Sequence, residues 1–180
     1  MDDLADLKGR KFQKKRNHVN RFRAEHSQFE LQNLTGGNFS AAQRMVGEWY
    51  RARMQADPTG DYMMESIAMS RAFRHYEGLQ MESAVLVENG EILAVTMGSR
   101  LWSDTFDIHF EKAREDVDGA YAAVNCEFAR YLRLKYPNLR YLNREDDVGL
   151  AGLRKAKLSY NPHHMVEKSW AYLAEDFHGD

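Results

Sequence analysis

The sequence has little of what builds cross-linked, membrane-spanning or disordered proteins. Its single cysteine, Cys126, among 180 residues excludes a disulfide framework and a zinc site made of several thiolates. The longest strictly apolar runs are four residues, as in residues 84–87, whereas a membrane-spanning helix needs about 20. The N-terminus is acidic and lacks the cationic head and apolar stretch of a secretory signal. We therefore predict a globular, cytoplasmic chain without a transmembrane segment.

The length is sufficient for one self-supporting domain. A chain of this size buries roughly 70% of its unfolded surface, so it needs no metal or disulfide to fold. Three prolines and nine methionines argue against a collagenous or disordered chain. We predict a single domain over residues 1–180, with a basic helix and a short strand in residues 1–34 and the core in residues 35–180.

A basic block near the N-terminus stands out from an acidic remainder. Residues 8–23 hold eight basic residues and no acid, and the rest of the chain carries 17 basic against 27 acidic residues. The spacing of Phe12, Val19 and Phe22 predicts a helix with one apolar face. Such a helix is either a solvated surface helix or a footprint for a polyanion. The candidate nucleic-acid contacts are Lys11, Lys14, Lys15, Arg16 and Arg21.

Apolar periodicity and turn signals predict alternating helices and strands. The pair Asn89-Gly90 is the strongest short signal for a hairpin, and Pro137 ends the helix before it. We predict helices at residues 8–23, 40–54 (with Ser40 as N-cap), 62–75, 119–136 and 149–158. We predict strands at residues 29–34, 82–88, 91–100, 105–110, 139–142 and 165–173. This order indicates an α/β (α+β) fold with a central mixed sheet of about five strands flanked by helices.

A polar segment, residues 143–147, follows one predicted strand. Ligand sites in α/β sheets collect at the carboxyl ends of strands. One aspartate, Asp146 or Asp147, can cap the next helix, which leaves Glu145 and the other carboxylate available for a site.

The helix that follows carries a lysine on its apolar face. Lys157 shares this face with Leu150, Leu153 and Tyr160, at helical spacing. Its side chain either extends to solvent along the helix or is partly buried opposite an anion, such as Glu145, Glu111 or a ligand phosphate.

Four segments together resemble a known family. They are KKRNHVNRF (residues 14–22), FEKA (110–113), GAY (119–121) and NREDDVGLAGLRKAKLSYNP (143–162). The chain is similar, over about residues 7–173, to a soluble family related to the C-terminal domain of phosphatidylglycerol lysyltransferases. The resemblance implies a GNAT-like fold. In the better-known relatives two such folds stand in tandem and move an aminoacyl group from a charged tRNA to a lipid head group.

The resemblance covers the second of the two halves. It implies that a cleft between halves would need another chain, either a homodimer or a partner domain that replaces the first half. The synthases also carry a membrane domain, so lipid as the acceptor stays open here, as does a peripheral membrane contact.

An aminoacyl-tRNA donor is favoured over acetyl-coenzyme A. GNAT enzymes cradle the pyrophosphate of acetyl-coenzyme A at a Gly-rich turn and helix N-terminus, but here that turn, residues 114–119, contains three carboxylates and has Val117 in place of its first glycine. Like charges would oppose a pyrophosphate, although these acids also fit a helix N-terminus. The basic helix suits tRNA phosphates.

The predicted site residues follow from the chemistry of the aminoacyl-tRNA ester, which is already activated for transfer. The protein has to position the acceptor and stabilise a tetrahedral oxyanion. Candidate stabilisers are Lys157 and Arg154, and candidates to hold the donor ammonium or act as base are Glu145 and Asp146. Candidate substrate-binding residues are Tyr121, Asn125, Tyr160, Glu111 and Asn143. The alternatives are a non-catalytic RNA- or anion-binding half-domain and a conventional N-acetyltransferase.

Other reactive residues fit weaker hypotheses. The adjacent His163 and His164 cannot chelate from one helix face, so we predict no metal site. Ser159 lacks a Gly-x-Ser-x-Gly turn, and Cys126 lies within a predicted helix as a small core residue.

Overall fold

The computed structural model describes residues 1–169 and 171, which form one five-stranded sheet with helices on both faces. The strands are β1 (Glu30–Asn33), β2 (Glu82–Glu88), β3 (Glu91–Arg100), β4 (Thr105–Ala113) and β5 (Tyr141–Asn143). The helices are α1 (Asp2–Asp6), α2 (Gln13–Glu25, after a 3-10 turn at Arg10–Phe12), α3 (Gly36–Ala56), α4 (Met63–Arg74), α5 (Tyr76–Leu79), α6 (Ala120–Lys135) and α7 (Ala151–Leu158).

The strands lie in the sheet in chain order. Neighbours from β1 to β4 are antiparallel, and β5 pairs parallel with β4. The turn between β2 and β3 has positive φ angles at Asn89 and Gly90, which a two-residue hairpin turn of this type requires. The mixed sheet of about five strands is confirmed.

Helices cover both faces of the central strands. On one face, Leu86 of β2 and Ala94 of β3 pack with Val124 of α6. On the other face, Val85 and Val95 pack with residues of α3 and α4. Since apolar side chains are buried on both sides, β2 and β3 show near-continuous apolar sequences without alternation.

The basic segment forms the predicted helix and packs on α6, but the α-helix runs from Gln13 to Glu25 instead of over residues 8–23. Phe12, Val19 and Phe22 are each 2% exposed or less, and Phe12 and Val19 form a small core with Cys126. Burial raises the pKa of the Cys126 thiol, in accordance with the prediction that it fills the core.

A β-bulge in the β3–β4 pair changes which β4 side chains face α6. Phe106 and Ile108 pack with α6 residues, but the register shifts between Met97 and Gly98, so that Met97 pairs with Phe110. After this extra residue the alternation is reversed, and Ala113 packs on α6 instead. Glu111 therefore lies on the α6 face.

Several predicted boundaries were wrong. α3 begins at Gly36 instead of Ser40, because Thr35 and Asn38 form a reciprocal capping box. β4 continues three residues beyond the predicted end at Phe110. The final strand predicted at 165–173 is absent from residues 165–169 and 171, and its other residues lie outside the described part.

Candidate functional site

β4 and β5 run side by side for three residues and then separate. Their parallel pairing joins Thr105–Asp107 to Tyr141–Asn143. β4 continues to Ala113, whereas the other chain segment leaves the sheet after Asn143. The carboxyl end of β5 therefore adjoins an opening in the sheet, which is where open α/β sheets bind ligands.

An ion pair spans this opening. Arg144, the first residue after β5, donates to the Glu111 carboxylate at 2.7 Å, and the Asn125 side chain donates to the same carboxylate at 3.3 Å. The Glu111 side chain is only 8% exposed. Burial acts to lower the pKa of Arg144, but the adjacent Glu111 carboxylate outweighs burial and raises it. Two predicted substrate-binding residues, Glu111 and Asn125, are thus hydrogen-bonded to each other, and Glu111 also pairs with an arginine that sequence reasoning did not select.

The basic helix contributes a cation to the same place. Lys15 Nζ lies 4.1 Å from the ring centroid of Tyr160, and the Arg144 guanidinium lies 4.7 Å from it. Burial and the nearby charge of Arg144 lower the pKa of Lys15. Burial also raises the pKa of Tyr160 to about 12, so its phenol is neutral at pH 7.

Lys157 holds the loop after β5. Its ammonium donates to the backbone carbonyls of Arg144, Glu145 and Asp146 at 2.5–2.8 Å. Because an ammonium has three N–H groups, all of its donors are engaged. Burial and the charge of Arg144 lower the pKa of Lys157. Of the two alternatives for Lys157, the structure has the partly buried one, but its partners are carbonyls and not the carboxylates or phosphate expected.

Arg154 and the two aspartates stabilise the turn before α7. Arg154 donates twice to the Asp147 carboxylate, at 2.7 and 3.2 Å. Asp146 accepts from the Val148 amide at 3.1 Å. The expected aspartate cap was wrong: α7 begins at Ala151, two residues later than predicted, and its N-cap makes no side-chain bond.

One cavity of about 1290 Å³ collects six of the nine predicted catalytic and substrate-binding residues. Glu111 and Asn125 do not line it; Glu111 accepts hydrogen bonds from Asn125 and from Arg144, and Arg144 is a lining residue. Tyr121, on the first turn of α6, is 37% exposed and does not line it. The six lining residues are Asn143, Glu145, Asp146, Arg154, Lys157 and Tyr160.

Carboxylates pair with half of the basic block. Among the five predicted nucleic-acid contacts, Lys11 pairs with Asp3 at 2.7 Å and Arg21 pairs with Asp118. Arg16 donates to the Leu7 carbonyl at 2.5 Å. Within residues 1–169 and 171, Lys14, Lys15 and Arg16 have no carboxylate partner, as is also true of Arg10. The unopposed positive row predicted from the sequence is therefore four residues instead of eight.

The acidic turn before α6 is neutralised and covered. Each of its acids has a cation: Glu115 has Arg53, Asp116 has Arg114, and Asp118 has Arg21. The like-charge repulsion expected at this turn is offset by these pairs. The close packing of α2 also restricts the space at this turn, because a Cβ at Gly119 would lie 2.5 Å from the His18 carbonyl oxygen of α2. α2 thus packs directly against the N-terminus of α6.

Comparison with a family model identifies the chain. The model described as "Phosphatidylglycerol lysyltransferase, C-terminal" matches residues 1–172. The chain belongs to this family. Among proteins with curated descriptions, no sequence relative is found.

Solved structures agree with the family assignment. A conserved protein of unknown function from Bacteroides thetaiotaomicron is 40% identical, with a TM-score of 0.83 over 91% of this chain and 54% of that one. The C-terminal domain of a proposed lysylphosphatidylglycerol synthetase from Agrobacterium fabrum is 16% identical (TM-score 0.54, 88% of this chain and 53% of that one). A proposed acetyltransferase from Clostridium difficile is 10% identical (TM-score 0.58, 81% and 97%).

These neighbours establish a GNAT-like fold for this member of the lysyltransferase C-terminal family. The chain spans about half the length of the Bacteroides protein. In the described part of the chain, no helix is long and apolar enough to cross a membrane.

Sequence reasoning missed a second polar group beside the loop of this family member. Asp107 and His109 of β4 lie close to Glu145, and their ligand-type atoms and one of Glu145 are all within 4.8 Å of one another. A signal for the pair existed, because residues two apart on a strand share a face. The contribution of Glu145 had no such signal, since the loop reaches the strand only in three dimensions.

Proposed function

We propose that this domain transfers an aminoacyl group from a charged tRNA to an acceptor amine or hydroxyl. The observation that carries the proposal is the meeting of Lys15, Arg144 and Tyr160 beside the opening between β4 and β5. Lys157 lies close enough to Arg144 for their charges to interact, but Glu145, Asp146 and Asp147 also act on Lys157. Beside Tyr160, two cations, Lys15 and Arg144, therefore meet one buried carboxylate, Glu111, which pairs with Arg144.

This excess of positive charge favours an anionic group of the donor. Lys15 has no carboxylate partner in the described chain, and its ammonium is only partly solvated. An anion about 4 Å from it would gain about 4 kcal/mol at an effective dielectric of 20, before screening by salt. A tetrahedral oxyanion or a phosphate of the tRNA acceptor end has the charge to occupy this position.

The outer part of α2 extends the positive surface. Lys14 and Arg16 are unpaired with carboxylates in residues 1–169 and 171, and we propose them with Lys15 as the phosphate contacts. Lys11 and Arg21 are less suited because Asp3 and Asp118 neutralise them. Three phosphate contacts predict a log–log salt slope of about −2 to −3.

The same packing of α2 disfavours acetyl-coenzyme A. A pyrophosphate bound in the GNAT manner needs the backbone N–H groups at the start of α6. There the His18 carbonyl approaches Gly119, and the nearby Asp118 already pairs with Arg21. α2 therefore restricts the binding of acetyl-coenzyme A and supplies cations for an aminoacyl-tRNA.

The reaction requires positioning more than strong acid–base chemistry. The acceptor amine or hydroxyl attacks the ester carbonyl, an oxyanion forms, and the ribose oxygen leaves with the proton given up by the acceptor. We assign stabilisation of the oxyanion to Arg144, with Lys15 binding the adjacent phosphate of the donor. Glu145 and Asp146 remain our candidates for holding the donor ammonium. Lys157 and Arg154 act as positioning residues, because their donors hold the loop.

The test compares transfer and binding in two lysine variants. Lys15→Gln should lower transfer from labelled aminoacyl-tRNA by about tenfold or more and reduce the salt slope by about 1. Lys8→Gln is the matched control, because Lys8 is exposed and already paired with Asp6 at 3.2 Å. Equal transfer by both variants would refute the role of Lys15, and thermal stabilisation by acetyl-coenzyme A would refute the choice of donor.

A non-catalytic anion-binding half-domain is the second candidate function. The engaged donors of Lys157 and Arg154 favour it, because neither is available to an oxyanion without breaking the loop contacts. Equal affinity for charged and uncharged tRNA, with no transfer, would support it. The Bacteroides relative is about twice as long, so we also propose that a partner domain or a second copy completes the cleft. Transfer that rises with the square of protein concentration would indicate a second copy.

A further inference from the structure

The group formed by Asp107, His109 and Glu145 lies on the sheet face opposite α6. Asp107 lies between Phe106 and Ile108, which pack on α6, so its own side chain faces away from that helix. His109 Nδ1 is 3.5 Å from Asp107 Oδ2 and 3.5 Å from Glu145 Oε1. The three side chains therefore converge from β4 and from the loop after β5.

Ser99 orients the imidazole. His109 Nε2 lies 2.8 Å from Ser99 Oγ, on the neighbouring strand β3. When Nε2–H donates to this hydroxyl, the lone pair of Nδ1 is directed toward the two carboxylates. A histidine that binds a metal usually fixes its tautomer in this way, with the other ring nitrogen held by a hydrogen bond.

The distances fit ligands of one ion better than hydrogen-bonded partners. At 3.5 Å from each carboxylate, His109 Nδ1 forms no hydrogen bond with either of them. Two ligand atoms at about 2.1 Å from a tetrahedral ion are about 3.4 Å apart. A histidine that relays protons to Ser99 would instead need an Nδ1–H hydrogen bond to a carboxylate.

One of the two carboxylates, that of Asp107, has a buried oxygen without a hydrogen-bond partner in the described chain. Asp107 is 7% exposed, and within the described chain its Oδ1 has no hydrogen-bond partner. A cation bound between Asp107 and Glu145 would satisfy this oxygen.

We propose that Asp107, His109 and Glu145 bind one divalent transition-metal ion of the zinc class, a site that shares Glu145 with the donor site proposed above but is tested without tRNA. Two carboxylates and one imidazole are a mixed N/O set that suits Zn²⁺ and similar ions better than Mg²⁺. Three protein ligands leave a fourth position, which would open beside Glu145, the exposed member of the group.

Lys168 provides the means of distinguishing this site from an ordinary ion cluster. Its ammonium lies 3.1 Å from Glu145 Oε2 and competes with any metal for that carboxylate. Removing the ammonium should therefore strengthen metal binding by up to about tenfold. If the acids served only to pair with Lys168, its removal would create no metal affinity.

The experiment titrates metal-free protein with Zn²⁺ by calorimetry, and with Co²⁺ by visible absorption. We expect one equivalent to bind, His109→Gln and Glu145→Gln to lose at least about tenfold in affinity, and Lys168→Met to gain. Glu167→Gln is the control for an exposed carboxylate next to Lys168 in sequence, and His163→Gln is the control for an exposed imidazole; neither should change the affinity.

Ser99→Ala keeps all three ligands and so tests the site if a ligand variant fails to fold. We expect it to bind with about tenfold lower affinity. Unchanged Zn²⁺ binding in His109→Gln and Ser99→Ala, or no binding by the unmodified chain, would overturn the proposal. Binding is read without tRNA, so a negative result here leaves the proposed transfer activity to its own test.

Discussion

The ion pair between Arg144 and Glu111 gives the sharpest test of the site's architecture. Arg144→Met leaves the Glu111 carboxylate 8% exposed, with one remaining hydrogen bond of 3.3 Å from Asn125. Removing one partner of a buried pair costs about 3–5 kcal/mol, since the other charge stays buried. Because the Arg144 side chain is 23% exposed, we expect the lower end, about 3 kcal/mol.

A second substitution should restore part of the loss. In the double variant Glu111→Gln, Arg144→Met, the glutamine is neutral and still fits beside Asn125. We therefore expect the double variant to be more stable than Arg144→Met alone by about 2 kcal/mol, although it carries one more change. If the two substitutions acted independently, their losses of unfolding free energy would add, and the double variant would be the less stable one.

The assay is equilibrium unfolding in urea. With an m-value of about 2 kcal/mol/M, Arg144→Met should lower the midpoint by about 1.5 M. Arg114→Met is the control, because Arg114 pairs with the exposed Asp116 and surface pairs contribute about 0–1 kcal/mol. The reasoning fails if the two arginine variants lose the same stability, or if the double variant is less stable than Arg144→Met.

Three further changes test the contacts around the site. Gly119→Ala places a Cβ against the His18 carbonyl at a residue with positive φ. Calorimetric melting should show a loss of about 2–3 kcal/mol in the free energy of unfolding. An unchanged melting temperature would exclude the close α2–α6 contact. Lys157→Met frees three carbonyls, so hydrogen exchange of amides 144–148 should rise at least about tenfold while exchange in β2 and β3 stays constant. Burial acts to raise the pKa of Glu82, but hydrogen bonds from Lys135 and two tyrosines outweigh it and lower the pKa. This stabilisation is present above pH 4.5 and is lost as the pH falls further. In urea unfolding, Glu82→Gln should therefore lower the free energy of unfolding by about 2 kcal/mol at pH 7 and by progressively less at acidic pH. A loss that does not change with pH would contradict this explanation.

Local signals predicted most elements of the fold. The hairpin at Asn89-Gly90 and the bounds of β2 and β3 are correct, because turn geometry and strand pairing there involve near neighbours. α6 ends before Pro137 as expected. The start of α3 was missed because glycines and Asn38 read as a loop, whereas Asn38 is part of the cap.

Charge pairing was less predictable, because it joins residues far apart in sequence. The basic block contains no acid, but Arg21 meets Asp118 and Arg23 meets Glu127, about 100 residues along the chain. The sequence analysis counted these cations as unopposed. Composition alone shows the total charge of a helix, whereas the charge it presents to a ligand depends on which acids the fold places beside it.

The structure brings most of the predicted site residues together, but with contacts that the sequence did not predict. Six of the nine predicted catalytic and substrate-binding residues line one cavity beside the end of β5, and their functional roles stay predictions. The roles of Lys157 and Arg154 were inferred from their charge, without knowledge that carbonyls and Asp147 would use their donors. Arg144 was overlooked because nothing local distinguishes it from the surface arginines.

The β-bulge links the two halves of this architecture. Without the extra residue at His109, the period of two would place Glu111 on the same face as Asp107. With it, Glu111 reaches Arg144 and Asn125 on the α6 side, while Asp107 and His109 face the opposite side. Two consecutive residues of the loop after β5 also contact different faces of β4. Arg144 pairs with Glu111, and Glu145 approaches His109. One inserted residue thus separates a cationic site from a carboxylate–imidazole site. Because Glu145 is a candidate in both sites, the two proposals are tested at residues that they do not share: transfer at Lys15, and metal binding at His109 and Ser99.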